Sequence, residues 1–370
     1  MKHISVLIKP ASSLCNLRCS YCFYANVSSL REVHSFGKMN EEVTEKMIEN
    51  IYVDLEDGDQ LTLAFQGGEP TLAGLNYFKK VTQLVDQQTK RVRVNYTIQT
   101  NGILVNDRWC TFFKAYNFLV GLSIDGHPFY HDLHRIDSKG RGTFQRVIQT
   151  KRLFDQYKID YNVLCVLTNP LSKEVKKVFN FLKEQKIDFV QFIPCLADLE
   201  MKEKNSYALT SKGFASFYHQ LLQLWLQELE EGRYISIRLF DDLLNLLVKH
   251  QVTACGILGN CQVQYVIEAD GSVYPCDFYA LDEYRMGYIQ KQSLRQLFEQ
   301  DISKMFICEQ TETFSKCLTC PFQRMCRGGC KRMRNAVYVD DRGYCGYQQF
   351  LQEFIPQINR ILSLLQKVNI

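Results

Sequence analysis

The chain has 370 residues, of which 46% are hydrophobic and 23% charged, and its formal net charge is +4. This length predicts two or three structural units, and so small a net charge gives no reason to expect nucleic acid or an anionic membrane as the main partner. No apolar run reaches the roughly 18 residues of a membrane span, and the N-terminus lacks the features of a signal peptide, so we expect a cytoplasmic protein without a membrane partner.

Strand-like and helix-like segments alternate through the first two hundred residues. Strands are predicted at His3–Lys9, Leu61–Gln66, Arg91–Gln99, Phe118–Ile124, Tyr161–Leu167 and Phe189–Pro194. Helices are predicted between them at Asn40–Asp54, Leu75–Gln88, Asp107–Tyr116, Thr143–Gln156 and Ser172–Gln185, with Asn40, Asp107 and Ser172 as N-caps. Six such alternations predict a parallel sheet covered by helices, either doubly wound or closed into a partial barrel, with its chemistry at the carboxyl ends of the strands.

The pattern changes after residue 197. A long helix is predicted over Ser211–Gly232, and two short strands, Tyr265–Ala269 and Ser272–Cys276, flank an Asp270-Gly271 hairpin turn. An amphipathic helix is predicted over Gln348–Val368. We therefore divide the chain into residues 1–232, 233–345 and 346–370.

Fifteen cysteines are far more than a cytosolic enzyme of this length needs, and their odd number disfavours a disulfide framework. Cys15, Cys19 and Cys22 form a C-x3-C-x2-C run directly after the first predicted strand. Three thiolates can hold three irons of a cubane cluster and leave the fourth iron open to a small molecule. A structural zinc site with a distant fourth ligand is the alternative.

This run, with Tyr21 before the last cysteine, resembles the signature of the radical S-adenosylmethionine (SAM) superfamily. The resemblance implies a partial (β/α)6 barrel and a [4Fe–4S] cluster whose open iron binds SAM. It also implies contacts to SAM from five positions of this chain. The Tyr21 backbone would meet the adenine, against which Leu196 would also pack. Gly68 would contact the amino group, Ser123 the ribose and Arg135 the carboxylate. His127, His131 and His134 could be read as a metal triad, but the resemblance accounts for this segment by a family pattern that includes His131 and Arg135. No metal is therefore assigned to the three histidines.

Nine cysteines lie between residues 255 and 345, and all except Cys308 are candidate ligands; these eight are twice the number that closes a cubane cluster. Their spacing resembles that of the SPASM domain. A zinc ribbon is an alternative for the cysteines from Cys317 to Cys330. The resemblance implies two closed auxiliary clusters, one held by Cys255, Cys261, Cys276 and Cys330 and the other by Cys317, Cys320, Cys326 and Cys345. Of the remaining four cysteines, Cys110 and Cys165 are expected in the core, and Cys195 and Cys308 receive no role.

Four segments, Leu7–Ser13, Phe65–Pro70, Gln99–Gly102 and Ser272–Tyr279, resemble the anaerobic sulfatase-maturating enzymes. That family converts a Cys or Ser in a sulfatase to Cα-formylglycine, with three [4Fe–4S] clusters and SAM as cofactors. The resemblance makes Asp277 the base and places Tyr24 and Gln66 at the substrate side chain. It implies as partners a sulfatase segment, Cys/Ser-x-Pro/Ala-x-Arg, and a reduced flavodoxin- or ferredoxin-like electron donor.

Two alternatives stay open at this point. A SPASM peptide maturase would form thioether or carbon–carbon crosslinks on a small peptide. A non-catalytic iron–sulfur redox sensor would need no SAM pocket, so the Gly67-Gly68-Glu69 motif, Ser123 and Arg135 argue against it. The sequence does not distinguish a cysteine from a serine substrate.

Overall fold

The computed structural model describes residues 1–200, 205–309 and 314–368, and the chain divides into two compact units. Unit 1 comprises residues 1–123, 134–161 and 262–309, and unit 2 comprises residues 124–133, 162–261 and 310–370. The division predicted at residues 232 and 345 stays a prediction, and the last two residues of its third part lie outside the described residues.

The described strands are β1 (His3–Ile8), β2 (Gln60–Phe65), β3 (Arg93–Thr100), β4 (Leu119–Ser123), β5 (Tyr161–Leu167), β6 (Phe189–Pro194), β7 (Ser236–Ile237), β8 (Val266–Ile267), β9 (Ser272–Tyr274) and β10 (Gly287–Tyr288). The six predicted N-terminal strands and both hairpin strands are confirmed, with ends within two residues of those predicted.

The described α-helices are α1 (Phe23–Ser29), α2 (Glu41–Val53), α3 (Leu75–Asp86), α4 (Asp107–Ala115), α5 (Pro128–His134), α6 (Phe144–Tyr157), α7 (Val175–Glu184), α8 (Ser211–Glu230), α9 (Arg238–Val248), α10 (Leu294–Phe298), α11 (Asp301–Cys308), α12 (Ser315–Leu318), α13 (Gln323–Cys326), α14 (Arg334–Val337), α15 (Gly346–Phe354) and α16 (Ile358–Lys367). Short 3-10 turns cover Pro70–Ala73, Leu171–Lys173, Asp277–Tyr279, Asp282–Tyr284 and Ile355–Gln357. No helix in the described part of the chain is both long and apolar enough to span a membrane.

Unit 1 is built on a sheet in the order β10-β9-β8-β1-β2-β3-β4. Strands β1 to β4 pair in parallel, and β8 also pairs in parallel with β1, through Leu7 opposite Val266 and Ile8 opposite Ile267. Strands β9 and β10 continue the sheet in antiparallel pairs. Strands far apart in the sequence therefore share one sheet, and β1 is an interior strand.

Unit 2 contains the parallel strands β5, β6 and β7 in that order. Its longest helix, α8, buries Phe217, Leu221 and Trp225, and the Trp225 indole donates to the Ile235 carbonyl (2.7 Å). Phe240 on α9 stacks on Phe350 of α15. Burial of these large rings stabilises the unit, because apolar area removed from water contributes roughly 25 cal/mol per Å².

The predicted N-caps have different outcomes. Asn40 caps α2 by accepting from the Val43 amide (2.8 Å), as predicted. The prediction for Asp107 was wrong by one residue, because the side chain of Asn106 accepts the first amides of α4. Ser172 is also not an N-cap: it lies in a 3-10 turn that follows Pro170, and its hydroxyl donates to the Asn169 carbonyl (2.8 Å).

The predicted continuous helix at the C-terminus is wrong in one respect. It is broken into α15 and α16 by the turn Ile355–Gln357, which contains Pro356. Proline has no amide hydrogen to donate and its ring crowds the carbonyl four residues earlier, so the regular helix is interrupted there.

Candidate active site

The loop that carries the first cysteine cluster follows β1 and ends at α1, for which Cys22 is the N-cap. Its backbone pairs with residues 134–136, at the end of α5 and directly after it: the Arg18 amide donates to the Ile136 carbonyl (2.7 Å) and the Ser20 amide to the His134 carbonyl (3.2 Å). Both segments belong to unit 1. The cysteine loop is therefore held at a fixed register rather than left as a flexible connection.

The glycine motif after β2 packs directly on this loop. The Gly68 amide donates to the Ser12 carbonyl (2.8 Å), and the Glu69 amide donates to the Leu14 carbonyl (2.8 Å). A Cβ on Gly68 would lie 2.1 Å from the Leu14 carbonyl oxygen. Glycine is required here because the cysteine loop occupies the place of a side chain.

Glu69 connects this motif to the end of β3. Its buried carboxylate accepts from the Thr71 amide (3.1 Å), from the hydroxyls of Thr71 (2.5 Å) and Thr100 (2.7 Å), and from the Asn101 amide (2.8 Å). Burial raises the pKa of Glu69 despite these hydrogen bonds. The Asn101 side chain then donates to the side-chain oxygen of Asn16 (2.8 Å), which lies next to Cys15.

The donor set of the loop fits an iron–sulfur cluster. Cys15, Cys19 and Cys22 are half-buried thiols. Burial raises the pKa of Cys15 to about 11, opposed by a hydrogen bond from the Leu17 amide and reinforced by the neighbouring Glu69 and Cys22. A buried sulfur of this kind gives up its proton readily only when a metal takes its place, as an iron of a cluster does.

The residues predicted to contact SAM divide between the two units. In unit 1, the Arg135 guanidinium lies 5.5 Å from the centre of the Tyr21 ring, Gly68 lies beside the cysteine loop, and Ser123 ends β4. Leu196 is buried in unit 2, two residues after the end of β6. The structure thus brings Tyr21 and Arg135 together, while their roles toward SAM stay predictions.

The three histidines of the α5 region have separate partners. His127 accepts from the Phe129 amide (3.3 Å), and His131 accepts from the Asp125 amide (3.3 Å). The His134 ring is hydrogen-bonded to the Ser20 hydroxyl (2.7 Å). Each ring thus fixes local structure.

Asp277 begins a 3-10 turn directly after Cys276. One carboxylate oxygen accepts from Gln66 Nε2 (2.5 Å), and the other lies 2.5 Å from Lys9 Nζ. The structure therefore joins two of the predicted residues, Asp277 and Gln66, which are 211 positions apart in the sequence.

Three charged residues of this neighbourhood were missed by the sequence analysis. Lys9 is fully buried, and its ammonium lies 3.2 Å from the centre of the Tyr24 ring. The Tyr24 hydroxyl donates to Glu268, which also forms an ion pair with Arg31 (2.7 Å). Burial and the Glu268 carboxylate raise the pKa of Tyr24 well above its ordinary value, so the hydroxyl stays a donor.

Four cysteines of the predicted second auxiliary cluster line one pocket of unit 2. These are Cys317, Cys320, Cys326 and Cys345, with Tyr338 and Tyr347 also in the wall. Burial raises the pKa of Cys345 to about 11, and the other three thiols add to the increase. Four converging thiols match the number that one cubane cluster takes.

The predicted first auxiliary cluster draws on both units. Cys255, Cys261 and Cys330 belong to unit 2, and Cys276 belongs to unit 1. Within unit 2, a Cβ on Gly256 would lie 2.8 Å from the Cys330 Cβ, so the chain next to Cys255 packs against Cys330. This ligand set stays a prediction.

The cysteines without a predicted ligand role differ in burial. Cys110 on α4 and Cys165 on β5 are fully buried, as expected, and Cys195 is also buried, whereas Cys308 is exposed. Within residues 1–200, 205–309 and 314–368, no three His, Cys, Asp or Glu side chains are grouped as ligands of a single metal ion. That observation concerns single-ion sites, since a cubane distributes its ligands over separate irons.

Comparisons with known proteins show what the chain is similar to. Residues 10–190 match the model of the radical SAM superfamily, and residues 255–321 match the SPASM model, an iron–sulfur cluster-binding domain. Over 371 residues, 99% of each chain, the protein is 39% identical to the cysteine-type anaerobic sulfatase-maturating enzyme of Clostridium novyi (strain NT). It is 40% identical to the enzyme of the same name from Clostridium perfringens (strain ATCC 13124), over 98% of this chain and 99% of that one.

A solved structure shows the same fold. Native anSMEcpe with bound AdoMet (SAM) and Cp18Cys peptide superposes with a TM-score of 0.88 at 38% identity, over 97% of this chain and 98% of that chain. The expected fold class, a partial (β/α)6 barrel with a cysteine-rich C-terminal region, is confirmed.

Proposed function

Since the chain belongs to the anaerobic sulfatase-maturating enzymes of the radical SAM superfamily, we propose that it oxidises a cysteine in a sulfatase to Cα-formylglycine. The two relatives compared above are both cysteine-type, which supports cysteine over serine as the residue oxidised. The observation that carries the proposal is the buried Asp277 carboxylate, which follows the candidate ligand Cys276 and is held by Gln66 and Lys9.

The chain binds iron–sulfur clusters and SAM. We propose Cys15, Cys19 and Cys22 as ligands of the first cluster, with Tyr21, Gly68, Ser123, Arg135 and Leu196 at SAM. The auxiliary clusters would use the two sets of four cysteines given above. When bound, these groups supply a deoxyadenosyl radical, which removes a hydrogen atom, and an acceptor for one electron.

The oxidation balances with one proton acceptor from the chain. Loss of a hydrogen atom from Cβ, a proton from the thiol and one electron turns the cysteine side chain into a thioaldehyde. Water then gives the aldehyde and releases hydrogen sulfide. We assign the thiol proton to Asp277, because its carboxylate is ionically paired and partly open, with 12% of its side chain exposed.

Gln66 supports this assignment. Its amide donates to one oxygen of Asp277 and thereby limits rotation of the carboxylate. A fixed carboxylate can meet the substrate thiol at hydrogen-bonding distance, which a general base requires. The predicted contacts of Gln66 and Tyr24 with the substrate side chain stay part of the proposal.

The partner that we propose is a sulfatase segment of the form Cys-x-Pro/Ala-x-Arg. It is supported by the Cp18Cys peptide bound in the related anSMEcpe structure. A reduced flavodoxin- or ferredoxin-like protein would supply the electrons. The reaction would take place in the cytoplasm, where the sequence predicts the protein to be.

Anaerobic incubation of the iron-loaded protein with SAM, a reductant and two synthetic peptides tests the proposal. The peptides differ only in carrying Cys or Ser at the reactive position. We expect the Cys peptide to become formylglycine, seen by mass spectrometry and by aldehyde-specific labelling. Cleavage of SAM without oxidation of either peptide would contradict the proposed function.

A further inference from the structure

Four buried charges surround the Tyr24 side chain in unit 1. Lys9 and Arg31 are the cations, and Glu268 and Asp277 are the carboxylates, so the set is electrically balanced. The side chains of Lys9, Arg31 and Glu268 are 0% exposed, whereas that of Asp277 is 12% exposed. The group is therefore closed except at Asp277.

Backbone hydrogen bonding fixes the position of the Lys9 Cα. Lys9 follows β1, and its amide donates to the Ile267 carbonyl of β8 (2.8 Å). Glu268 is the next residue after that carbonyl, so the pairing of β1 with β8 brings Lys9 and Glu268 into one neighbourhood. Lys9 thus directly follows an interior strand, and its Cα has little freedom to move.

The ammonium group is confined at its other end. It lies 3.2 Å from the centre of the Tyr24 ring and 2.5 Å from one oxygen of Asp277. The Tyr24 ring is itself held, because its hydroxyl donates to the same Glu268 oxygen that pairs with Arg31. A desolvated cation is attracted to an aromatic face, and this attraction offsets part of the cost of burying it.

From this geometry we propose that Lys9 is a positioning residue for the oxidation. Held on the Tyr24 ring, it pairs with one oxygen of Asp277 and so orients the partly exposed carboxylate toward the substrate thiol. The inference rests on the proposed function, because it concerns the residue that accepts the thiol proton. Glu268 and Arg31 act one step further away, by fixing Tyr24.

The alternative is that Lys9 only neutralises a buried carboxylate and stabilises the fold. The two roles differ in what a substitution changes. A structural role lowers SAM cleavage and peptide oxidation together. A positioning role lowers the amount of peptide oxidised per SAM cleaved, because the deoxyadenosyl radical still forms but the proton is not removed.

The experiment compares iron-loaded wild type with Lys9→Met, Lys9→Arg, Asp277→Asn and the double variant Lys9→Met/Asp277→Asn. For each protein, deoxyadenosine and formylglycine are measured with the Cys peptide, together with kcat, KM and iron content. Lys151→Met is the matched control, since Lys151 is also a buried lysine, 6% exposed at its side chain and paired with Asp155 on α6 (2.9 Å).

We expect Lys9→Met to lower formylglycine per deoxyadenosine by about tenfold or more, through kcat rather than KM. The double variant should match Asp277→Asn to within about twofold, because Lys9 acts through Asp277 and the two effects are not additive. Lys9→Arg, which keeps the charge, should recover part of the ratio, and Lys151→Met should leave it unchanged.

The inference would be overturned if Lys9→Met lowered deoxyadenosine and formylglycine by the same factor. It would also be overturned if the loss of peptide oxidation in the double variant equalled the two single losses multiplied together. If Lys9→Met does not load iron, the ratio of formylglycine to deoxyadenosine is measured in Lys9→Arg and Lys9→Gln instead. A wild-type ratio in every soluble Lys9 variant contradicts the positioning role. A wild-type protein that cleaves SAM and oxidises no peptide is a different result, and it rejects the proposed function itself.

Discussion

The Asn101 side chain donates a hydrogen bond of 2.8 Å to the side-chain oxygen of Asn16, and so connects the end of β3 to the cysteine loop. Asn101 is itself placed by Glu69, which accepts its backbone amide. The cysteine loop is therefore held by side-chain hydrogen bonds as well as by those of its backbone.

Asn16→Ala removes only the bond to Asn101, and we expect a loss of about 1 kcal/mol in the free energy of unfolding. For a domain of this size that corresponds to a fall in Tm of about 2 to 4 °C. Asn101→Ala should cost more, because the Asn101 oxygen also accepts from the Ile103 amide (3.0 Å). Anaerobic calorimetry of the iron-loaded proteins measures both, and equal Tm values for all three proteins would refute the link.

Gly68→Ala should disable the first cluster selectively. The added Cβ would lie 2.1 Å from the Leu14 carbonyl oxygen, so the cysteine loop must move. We expect SAM cleavage to fall by at least about a hundredfold. Mössbauer spectroscopy and iron analysis should show that the auxiliary clusters remain.

Gly346→Ala is the matched variant, because its Cβ would lie 2.2 Å from the Ser211 carbonyl oxygen and it follows Cys345. There the iron loss should fall on the auxiliary cluster of unit 2. The same pattern of cluster loss in both variants would show that the two clashes act through general unfolding.

Asp277→Asn should separate the two halves of the reaction. The amide keeps the shape of the side chain but does not accept the thiol proton, so peptide oxidation should fall by about 10² to 10⁴-fold while SAM cleavage is retained. Asp301→Asn on α11 is the control, since the side chain of Asp301 is fully exposed. Wild-type oxidation by Asp277→Asn would remove Asp277 from the role of base.

Cys326→Ala should remove one auxiliary cluster. Because Cys326 is one of four thiols around one cavity, we expect iron to fall from about twelve to about eight atoms per chain. Cys308→Ala should leave the iron content unchanged, since Cys308 is exposed on α11 and is not among the predicted ligands. Iron and sulfide analysis after anaerobic reconstitution measures both, and an unchanged iron content in Cys326→Ala would contradict the ligand assignment.

The sequence predicted the strands well because their apolar runs are local signals. Leu61, Leu63 and Phe65 alternate with less buried residues along β2, as a strand with one fully buried face requires. Helix ends were harder, since Asn106 and Asp107 are both good caps and only the backbone decides which of them comes before the first turn.

The charged residues around Tyr24 were missed for a different reason. Lys9 and Glu268 are 259 positions apart, and nothing local in the sequence shows that β8 pairs with β1. A signal was present nonetheless, because each is a charged residue in or next to an apolar strand segment. A charge at such a position is costly unless it is paired, so it marks a polar site within the core.

The pairing of β8 with β1 also affects how the protein is made. Until the ribosome has synthesised residues 262–288, β1 has no neighbour on one side, and Lys9 and Arg31 lack their carboxylate partners. The emerging N-terminal half is therefore an incomplete sheet with an unpaired edge, of the kind that aggregates or recruits chaperones.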